Sequence, residues 1–385
     1  MNHTSSPLLS SGDLAGGTPH SSRTILIMAG GTGGHVFPAL AVADYLRDEG
    51  WRVVWLGTRT GMEARLVPQH GYEMAWIRFS GVRGKGLLRV ATLPLQLLGA
   101  FYQSARAIFT HRPDVVLGMG GYTAFPGGMM AALLAKPLVV HEQNGIAGLT
   151  NRVLACLADK VLVAFPNAFK GSHDKPVPCG KVETEWCGNP VRADIAAVAE
   201  PQARFAGREG PLRLLVAGGS LGAAALNEAV PKALALIPQT QRPEVVHQSG
   251  AKHLDTLQAY YHTAGVTADI RPFIENMAAM YAWADLVLCR AGALTVAELA
   301  AAGVASVLVP YPHAVDDHQT SNAHFLSNSG AAILVAQSEL TAQRLAEILQ
   351  GLNRDQLLTM AQAARTLAKP EATRQVAKAC KELAK

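Results

Sequence analysis

The sequence predicts two α/β domains, each built on a parallel sheet that helices cover on both faces. Three observations lead to this prediction. Short β-branched segments alternate with longer helical segments, the alternation restarts near residue 212, and a glycine-rich turn follows the first strand of each series. Such alternation is typical of parallel sheets, because each crossover helix packs on a face of the sheet. A chain of 385 residues is long enough for two domains of this kind.

The first series predicts an N-terminal domain over residues 23–192, after a loose leader at residues 1–22 that is rich in Ser, Gly, Pro and Thr. Its helical patterns cover Val36–Glu49 and Gly148–Leu157. Its predicted strands are buried apolar runs: Thr24–Ala29, Arg52–Leu56, Val115–Leu117, Leu138–Val140 and Lys160–Val163.

The second series predicts a C-terminal domain over residues 193–370, with helices over Ala223–Leu236 and from Leu294 and Asp317. Its predicted strands are Leu212–Ala217, Glu244–His247, Leu286–Leu288 and Ser306–Val309. Between the two series we expect a surface excursion at Lys170–Trp186 and an interdomain connection at Gly188–Gly210, both rich in Pro, Gly and charge. The final helix, Glu371–Lys385, is expected to cross back and brace the first domain.

Composition excludes several classes of protein. With 49% apolar and 16% charged residues the chain is not disordered, and its net charge of +5 suits an acidic partner such as a nucleotide, a diphosphate or an anionic membrane face. The chain has no dense Lys/Arg stripe, so we predict no nucleic-acid partner. Its five cysteines are scattered without a CxxC pair, which predicts reduced thiols and no zinc site. No apolar run is long enough for a membrane span.

Two glycine loops are candidate phosphate sites. Gly30–Gly34 and Gly218–Gly222 each lie between a predicted strand and a predicted helix, where glycine allows close approach and the helix N-terminus attracts an anion. The alternative is a tight turn that binds nothing. A dehydrogenase fingerprint fits poorly, because Val36 stands where a third glycine is needed, and no GxxxxGK[ST] loop occurs.

Further polar residues follow other strands at the same predicted edge. Arg290–Glu298 opens a helix with small residues, and Glu298 is placed to accept ribose hydroxyls, although a Glu in a first turn is often only dipole compensation. His35 is a candidate general base, and His141–Gly145 can hydrogen-bond a sugar. The segment Asp316–Gln319 could cap a helix or bind a metal. No Asp-x-Asp occurs, which predicts that helix N-termini rather than a metal stabilise a leaving diphosphate.

The segment Gly81–Arg112 combines basic and apolar residues. It is either a buried helix with basic ends or an interfacial anchor for an anionic membrane. The residues predicted to form such a membrane patch are Arg83, Lys85, Leu87, Leu88, Leu93 and Leu97.

At Gly30–Pro38 the chain resembles the MurG family of peptidoglycan N-acetylglucosaminyltransferases, and the likeness spans nearly the whole chain after the leader. Five further segments carry it: Gly118–Tyr122, His141–Thr150, Gly188–Arg192, Gly218–Ala223 and Cys289–Glu298. The resemblance implies a GT-B fold, in which two Rossmann-like, doubly wound domains face each other across a cleft. It also implies inverting transfer of N-acetylglucosamine from UDP-N-acetylglucosamine to the C4 hydroxyl of undecaprenyl-diphosphate-N-acetylmuramyl-pentapeptide (lipid I), which forms lipid II.

The same resemblance implies a peripheral protein on the cytoplasmic face of the bacterial inner membrane, with no cofactor or required divalent ion. Its implied partners are the donor nucleotide, lipid I, anionic lipids and the machinery of cell-wall synthesis and division. The apolar stretch after Gly86 matches the membrane-facing patch of the family.

The resemblance also implies roles for single residues. The donor sugar or acceptor diphosphate is assigned to Thr32, Gly33, Gly34 and Asn144, and the nucleotide to Arg192, Ser220 and Ile274. The diphosphate and ribose are assigned to Ala293, Leu294, Thr295, Val296, Ala297 and Glu298, and the sugar hydroxyls to Gln319. His35 is the first candidate for the base, with His141 or Glu142 as alternatives. Leu221 and Ala291 depart from the Gln and Ser common in the family.

Two other functions stay open on the sequence. A UDP-N-acetylglucosamine epimerase would share the fold but need no lipid acceptor. A non-catalytic module that senses sugar nucleotides would need no base. Epimer formation from the sugar nucleotide alone favours the first of these. His35→Ala tests the second, because an enzyme should lose turnover while it keeps its donor affinity.

Overall fold

The computed structural model describes residues 23–79, 87–170, 177–219 and 222–384. The leader, Arg83, Lys85, Ser220 and Leu221 therefore lie outside the described residues. Leu87 and Leu88 lie within a described helix, but their side chains are not described.

The first sheet is entirely parallel. Its strands are β1 Thr24–Met28, β2 Arg52–Gly57, β3 Glu73–Trp76, β4 Val115–Gly118, β5 Leu138–Glu142, β6 Lys160–Val163 and β7 Glu185–Trp186. They are ordered β3-β2-β1-β4-β5-β6-β7 in space. The chain therefore reverses its direction of travel across the sheet between β1 and β4, and doubly wound sheets bind ligands at such a switch point.

The second sheet repeats this plan. Its strands are β8 Arg213–Ala217, β9 Glu244–Gln248, β10 Asp269–Arg271, β11 Leu286–Cys289, β12 Ala305–Leu308 and β13 Ala332–Leu334. They are ordered β10-β9-β8-β11-β12-β13 and are all parallel, with the switch point between β8 and β11. The predicted fold class, two doubly wound α/β domains, is confirmed.

Helices cover both sheets. Those up to the second sheet are α1 Gly33–Asp48, α2 Glu63–Gln69, α3 Leu87–His111, α4 Ala124–Leu133, α5 Leu149–Leu154, α6 Ala193–Ala196 and α7 Pro201–Phe205. The remainder are α8 Ala224–Leu236, α9 Leu254–Ala264, α10 Met277–Trp283, α11 Ala293–Ala302, α12 His318–Ser327, α13 Ala342–Gln350, α14 Arg354–Thr366 and α15 Ala372–Leu383.

The last helix packs on the first sheet. Val376, Ala377 and Cys380 of α15 are completely buried and share a core with residues of β1 and α1. At the rim of this contact, the Lys381 ammonium lies 2.9 Å from a Glu49 carboxylate oxygen. The chain therefore crosses from the second sheet back to the first before it reaches its end.

The structure corrects three details of the predicted elements. β5 extends two residues further than predicted, so His141 and Glu142 lie in the sheet and not in the loop after it. The excursion after β6 ends in an edge strand, because Glu185 and Trp186 pair with β6. The strands β3, β10 and β13 were not predicted, because three or four residues are too few to show a strand pattern.

The prediction that all cysteines are reduced is wrong for two of them. Cys156, just after α5, and Cys179, in the excursion, form a disulfide with their Cα atoms 5.6 Å apart. The fold brings together two cysteines that are 23 residues apart in sequence, and sequence spacing gives no sign of that proximity. Cys187, Cys289 and Cys380 are buried free thiols.

Candidate active site

The candidate site is the cleft between the two switch points. In the first domain it is bordered by the loops after β1, β4 and β5, and in the second by the start of α11. The two domains meet here: Cα atoms of α1 and α11 approach within 8 Å. The backbone N–H of Gly145 donates to Asn322 Oδ1 of α12 at 2.7 Å. Asn322 also donates to the carbonyl oxygen of Ala291, just before α11, and His35 in the first turn of α1 lies 3.0 Å from Gln143. These contacts connect the start of α1 with the start of α11.

A buried carboxylate shapes the first glycine loop. Glu63 is fully buried and accepts hydrogen bonds from the backbone N–H of Gly31 at 3.0 Å and from the N–H and hydroxyl of Thr58 at 3.0 and 2.8 Å. The Tyr122 hydroxyl lies 3.1 Å from the Thr58 hydroxyl. This set of bonds ties the loop after β1 to those after β2 and β4.

The loop after β4 approaches the first glycine loop so closely that it needs glycine. Gly121 has a φ of +81°, and a Cβ there would lie 2.3 Å from the Gly30 carbonyl oxygen. No side chain fits that space. The close approach leaves the start of α1 bordered by backbone, with Thr32 as the exposed N-cap and Gly33 and Gly34 as its first residues. The first N–H groups of a helix have no partner within it and are available to an anion.

His35 stands in the first turn of α1 at the cleft and is partly exposed. Its Nδ1 lies 3.0 Å from the Gln143 side-chain oxygen, Oε1. Among the three candidate bases, His35 alone combines a position at the helix start with contact to the solvent side.

The two alternative bases are buried and hydrogen-bonded within the first domain. His141 is fully buried, with Nε2 2.9 Å from the Gly188 carbonyl oxygen and Nδ1 3.1 Å from the Gln143 amide nitrogen. Burial lowers the pKa of His141 to about 4. Both ring nitrogens are therefore already engaged inside the first domain.

Glu142 is also buried, and its carboxylate holds the loop that follows β5. It accepts from the backbone N–H and side-chain amide of Asn144, at 2.8 and 3.1 Å, from the N–H of Gly148 at 3.1 Å and from Asn151 Nδ2 at 2.9 Å. A carboxylate with four donors has no free lone pair directed at a substrate. Two of these bonds hold Asn144, whose side-chain oxygen lies 3.5 Å from Asn322 Nδ2 of the second domain.

In the second domain, Glu298 is buried in the second turn of α11. The Tyr281 hydroxyl donates to Glu298 Oε2 at 2.9 Å, and Arg192 Nη2 lies 3.6 Å from Oε1. Desolvation by burial raises the pKa of Glu298 to about 7, although Arg192 and Tyr281 both oppose this. Arg192 precedes α6 in the connection between the sheets, so the predicted pair of nucleotide residues is brought together.

The other predicted residues of α11 divide by face. Leu294, Thr295 and Ala297 are partly exposed, whereas Ala293 and Val296 are buried in the core. The two buried residues therefore offer a ligand only their backbone. Gly292 is the N-cap, so the N–H groups after it are free of intrahelical partners.

Ile274 and Gln319 lie in different surroundings. Ile274 is 4% exposed and belongs to the core of the second domain. Gln319, in the first turn of α12, accepts a hydrogen bond from the backbone N–H of Tyr311 at 2.9 Å. Its side-chain oxygen is therefore engaged within the second domain.

Three residues of the site were missed on the sequence: Glu63, Tyr281 and Asn322. Each acts through a partner that is distant in sequence, and none stands in a recognisable pattern. Asn322, for example, accepts from Gly145 and donates to the Ala291 carbonyl oxygen at 3.2 Å. Such a bridge becomes visible only when the two domains are placed together.

Helix α3 exposes an apolar stripe. Leu95, Leu98, Tyr102 and Phe109 are 74%, 64%, 69% and 65% exposed, and their spacing of three, four and seven residues places them on one helix face. Leu93 and Leu97, which we predicted for the membrane patch, are half-buried on another face. Among the described residues, no helix is both long and apolar enough to cross a bilayer.

Both halves of the chain match known domains. The glycosyltransferase family 28 N-terminal domain matches residues 25–163, and the C-terminal domain of that family matches residues 213–380. Two relatives bear the name UDP-N-acetylglucosamine–N-acetylmuramyl-(pentapeptide) pyrophosphoryl-undecaprenol N-acetylglucosamine transferase. The protein from Thiobacillus denitrificans is 62% identical, covering 95% of this chain and 99% of its own length. That from Cupriavidus metallidurans is 64% identical, covering 94% and 99%.

Solved structures agree with this assignment. The crystal structure of Acinetobacter baumannii MurG is similar with a TM-score of 0.78 and 43% identity, covering 94% of this chain and 99% of that one. A UDP-GlcNAc 2-epimerase from Neisseria meningitidis is similar with a TM-score of 0.63 but only 12% identity, covering 94% and 100%, which shows a common fold alone. With both halves matched and near-identical length shared with close relatives, the chain belongs to glycosyltransferase family 28, in its MurG branch.

Proposed function

We propose that this chain transfers N-acetylglucosamine from UDP-N-acetylglucosamine to the C4 hydroxyl of undecaprenyl-diphosphate-N-acetylmuramyl-pentapeptide. The observation that carries the proposal is the cleft itself: hydrogen bonds of Gln143, Gly145 and Asn322 connect the glycine-lined start of α1 with the start of α11. The chain is also 62% identical to a transferase named for this reaction. The two helix starts supply positive dipole ends to a substrate pair that carries two diphosphates.

The donor is assigned to the second domain. The diphosphate is held by the N–H groups that follow Gly292, and the Glu298 carboxylate accepts the ribose hydroxyls. Arg192 and Tyr281 keep that carboxylate in place. The amide of Gln319 faces the donor sugar.

The chemistry is a single displacement. The His35 imidazole takes the proton of the acceptor C4 hydroxyl, and the hydroxyl oxygen forms a bond to C1 of N-acetylglucosamine. The bond from C1 to the diphosphate oxygen breaks, and its electron pair leaves with UDP. The N-terminus of α11 stabilises the negative charge that develops on the leaving diphosphate. Attack opposite the leaving group inverts C1, which yields a β-1,4 linkage.

We further propose that the protein docks peripherally on the cytoplasmic face of the inner membrane. The apolar stripe of α3 (Leu95, Leu98, Tyr102 and Phe109) belongs to the first domain, to which the lipid acceptor is assigned. The basic residues Arg83 and Lys85 precede α3 in sequence and add attraction to anionic lipids. Docking there would bring the cleft to an acceptor that cannot leave the bilayer.

A transfer assay with radiolabelled UDP-N-acetylglucosamine and a short-chain lipid acceptor tests the reaction. We expect a labelled disaccharide lipid only when both substrates are present. If the donor is converted to an epimer when no acceptor is present, the chain is an epimerase and the proposed transfer reaction is wrong.

His35→Ala tests the assignment of the base. We expect turnover to fall at least about a hundredfold while the donor Kd changes only a few-fold, because a lost proton acceptor affects the reaction and not the nucleotide contacts. His262→Ala, at an exposed histidine of α9, is the matched control and should leave turnover unchanged. Full turnover in His35→Ala would remove this residue from the chemistry.

A further inference from the structure

A chain of three hydrogen bonds runs from the cleft into the first domain. His35 Nδ1 lies 3.0 Å from Gln143 Oε1, Gln143 Nε2 lies 3.1 Å from His141 Nδ1, and His141 Nε2 lies 2.9 Å from the Gly188 carbonyl oxygen. His141 and Gln143 are 0% and 1% exposed, so water does not compete for these bonds. Only His35, at one end, opens onto the cleft.

The far end of the chain fixes its direction. The Gly188 carbonyl oxygen can only accept, so His141 Nε2 must carry a hydrogen. Burial lowers the pKa of His141 to about 4, so the ring is neutral near pH 7 and its Nδ1 is an acceptor. The Gln143 group that faces this Nδ1 must therefore be the amide NH₂.

A second pair of contacts orients Gln143 in the same way. Its amide nitrogen also lies 3.2 Å from the His141 carbonyl oxygen and 3.9 Å from the Met119 sulfur, both of which are acceptors. All three neighbours of that nitrogen thus suit a donor. With the NH₂ group facing inward, the side-chain oxygen faces His35 and can only accept.

The geometry points to Gln143, held by His141 and the Gly188 carbonyl, as the residue that fixes the His35 tautomer. This inference rests on the proposed function, because it assumes that His35 is the base. Nδ1 of His35 carries the hydrogen and donates to Gln143 Oε1, which leaves the Nε2 lone pair free to accept the acceptor's C4 proton. Gln143 and His141 are therefore positioning residues that act through His35.

The position of Gly188 explains how the anchor is kept. Its φ is +88°, and a Cβ there would lie 2.2 Å from Cβ of Lys369. Glycine lets this part of the interdomain connection press against the segment before α15, so its carbonyl oxygen stays aimed at His141. The orientation of the base is thus set by backbone that lies outside the substrate pocket.

The tautomer also suits the charged state that follows proton transfer. When Nε2 takes the hydroxyl proton, His35 becomes an imidazolium, and its Nδ1–H still donates to the amide oxygen of Gln143. The partial negative charge on that oxygen stabilises the new cation. The hydrogen bond between His35 and Gln143 is therefore the same before and after the proton transfer.

Nitrogen NMR of protein labelled with ¹⁵N-histidine tests the inference without any assay of activity. We expect the neutral His35 ring to show a protonated Nδ1 and an unprotonated Nε2, assigned by loss of its signals in His35→Ala. A His35 ring protonated at Nε2 in the unmodified protein would overturn the inference, even if the enzyme proves to be the proposed transferase. Conversely, if the ring shows the expected tautomer but the protein has no transfer activity, only the proposed function is contradicted.

Two substitutions add a kinetic test. Gln143→Leu removes the acceptor, so we expect a mixture of His35 tautomers and a kcat about 10- to 100-fold lower, with the KM for the donor within about twofold. Gln143→Glu keeps an oxygen facing His35 Nδ1 but loses the amide donor to His141. Because the groups on that side all accept, we expect the new carboxyl to be protonated and to donate its O–H to His141 Nδ1. The His35 tautomer should then be retained, with a turnover between those of Gln143→Leu and the unmodified enzyme. Equal kcat in Gln143→Leu and the unmodified enzyme would contradict the inference. If the leucine variant does not fold, the tautomer in the unmodified protein and in Gln143→Glu still decides.

Discussion

Several residues that shape the cleft are buried polar groups whose hydrogen bonds are nearly all satisfied. Glu63 holds the first glycine loop, Glu142 holds the loop after β5, and Glu298 accepts a hydrogen bond from Tyr281. A buried carboxylate is costly unless donors surround it, so each of these groups is tied to a defined geometry. Glu298 has fewer donors than the other two, and burial therefore dominates its titration.

The titration of Glu298 predicts a pH dependence of donor binding. Burial raises the pKa of this carboxyl to about 7, and only the ionised form can accept both ribose hydroxyls. Binding therefore has to expel a proton below that pH, so affinity should rise with pH and level off above it. We expect the Kd of UDP-N-acetylglucosamine to weaken by up to about tenfold for each pH unit below the pKa.

Isothermal titration calorimetry at several pH values measures this effect. The sugar nucleotide is a better probe than UDP, because a terminal phosphate itself titrates near pH 6 by about one charge. In Glu298→Gln we expect weaker binding that varies much less with pH. An equally steep pH dependence in that variant would assign the effect to another group.

Gly121 provides a second prediction at the scale of single residues. Alanine at Gly121 should lower both the melting temperature and kcat, because its Cβ would lie 2.3 Å from the Gly30 carbonyl oxygen and would push the two loops apart. Gly71→Ala is the matched control: its φ is +80°, but nothing lies within 4 Å. The free energy of unfolding of the control should fall by only about 1–2 kcal/mol, because alanine is disfavoured in a left-handed backbone conformation. Its activity should be unchanged. Equal loss in both variants would argue against the close approach.

The interior strands were predictable from the sequence and the edge strands were not. β1, β2, β4, β5 and β6 lie within the sheet, where burial on both faces gives continuous apolar runs. β10, which reads Asp269–Arg271, is a short edge strand whose polar residues suit an exposed loop equally well. The candidate residues divide in a similar way. His35 and Glu298 could be named from the sequence because they stand beside glycine-rich helix starts, whereas Tyr281 and Asn322 are recognised only by contacts that the folded chain makes.

The exposed apolar stripe of helix α3 predicts binding to anionic membranes. Leu98→Glu places a charge in the middle of the exposed stripe, and we expect co-sedimentation with anionic vesicles to fall at least about fivefold. Leu236→Glu, at a leucine 53% exposed at the end of α8, is the matched control and should bind vesicles normally. Turnover of a water-soluble short-chain acceptor should be normal in both variants. If Leu236→Glu loses as much vesicle binding as Leu98→Glu, the stripe is not the docking surface.

At the scale of the whole molecule, the two sheets share one strand order over six strands, and the chain passes between them twice. The first passage is near Gly188–Arg192 and the second just before α15. Phe325 of α12 packs against Phe165 and Trp186 of the first domain, with ring centroids 5.0 and 6.3 Å apart. The two domains therefore share an aromatic contact beside the connection.

The packing of α15 predicts that a substitution near the C-terminal end destabilises the first domain. Val376→Ala leaves a cavity in the core that also contains Trp51 and Trp55, and we expect a loss of about 2 kcal/mol. Thermal unfolding followed by tryptophan fluorescence measures it. Lys378→Ala, at a side chain 67% exposed on the same helix, should change stability by no more than about 0.5 kcal/mol. An unchanged midpoint in Val376→Ala would mean that α15 does not stabilise this domain.

The return of α15 has a consequence for how the protein is made. The strands of the first sheet leave the ribosome early, but the apolar surface beside β4 and β5 is covered only when residues 372–383 have also emerged. At ordinary rates of synthesis the delay between the two events is roughly 10 to 40 seconds. During that interval the first domain of the nascent chain exposes this apolar surface to solvent. We therefore expect chaperones that act during translation to bind it.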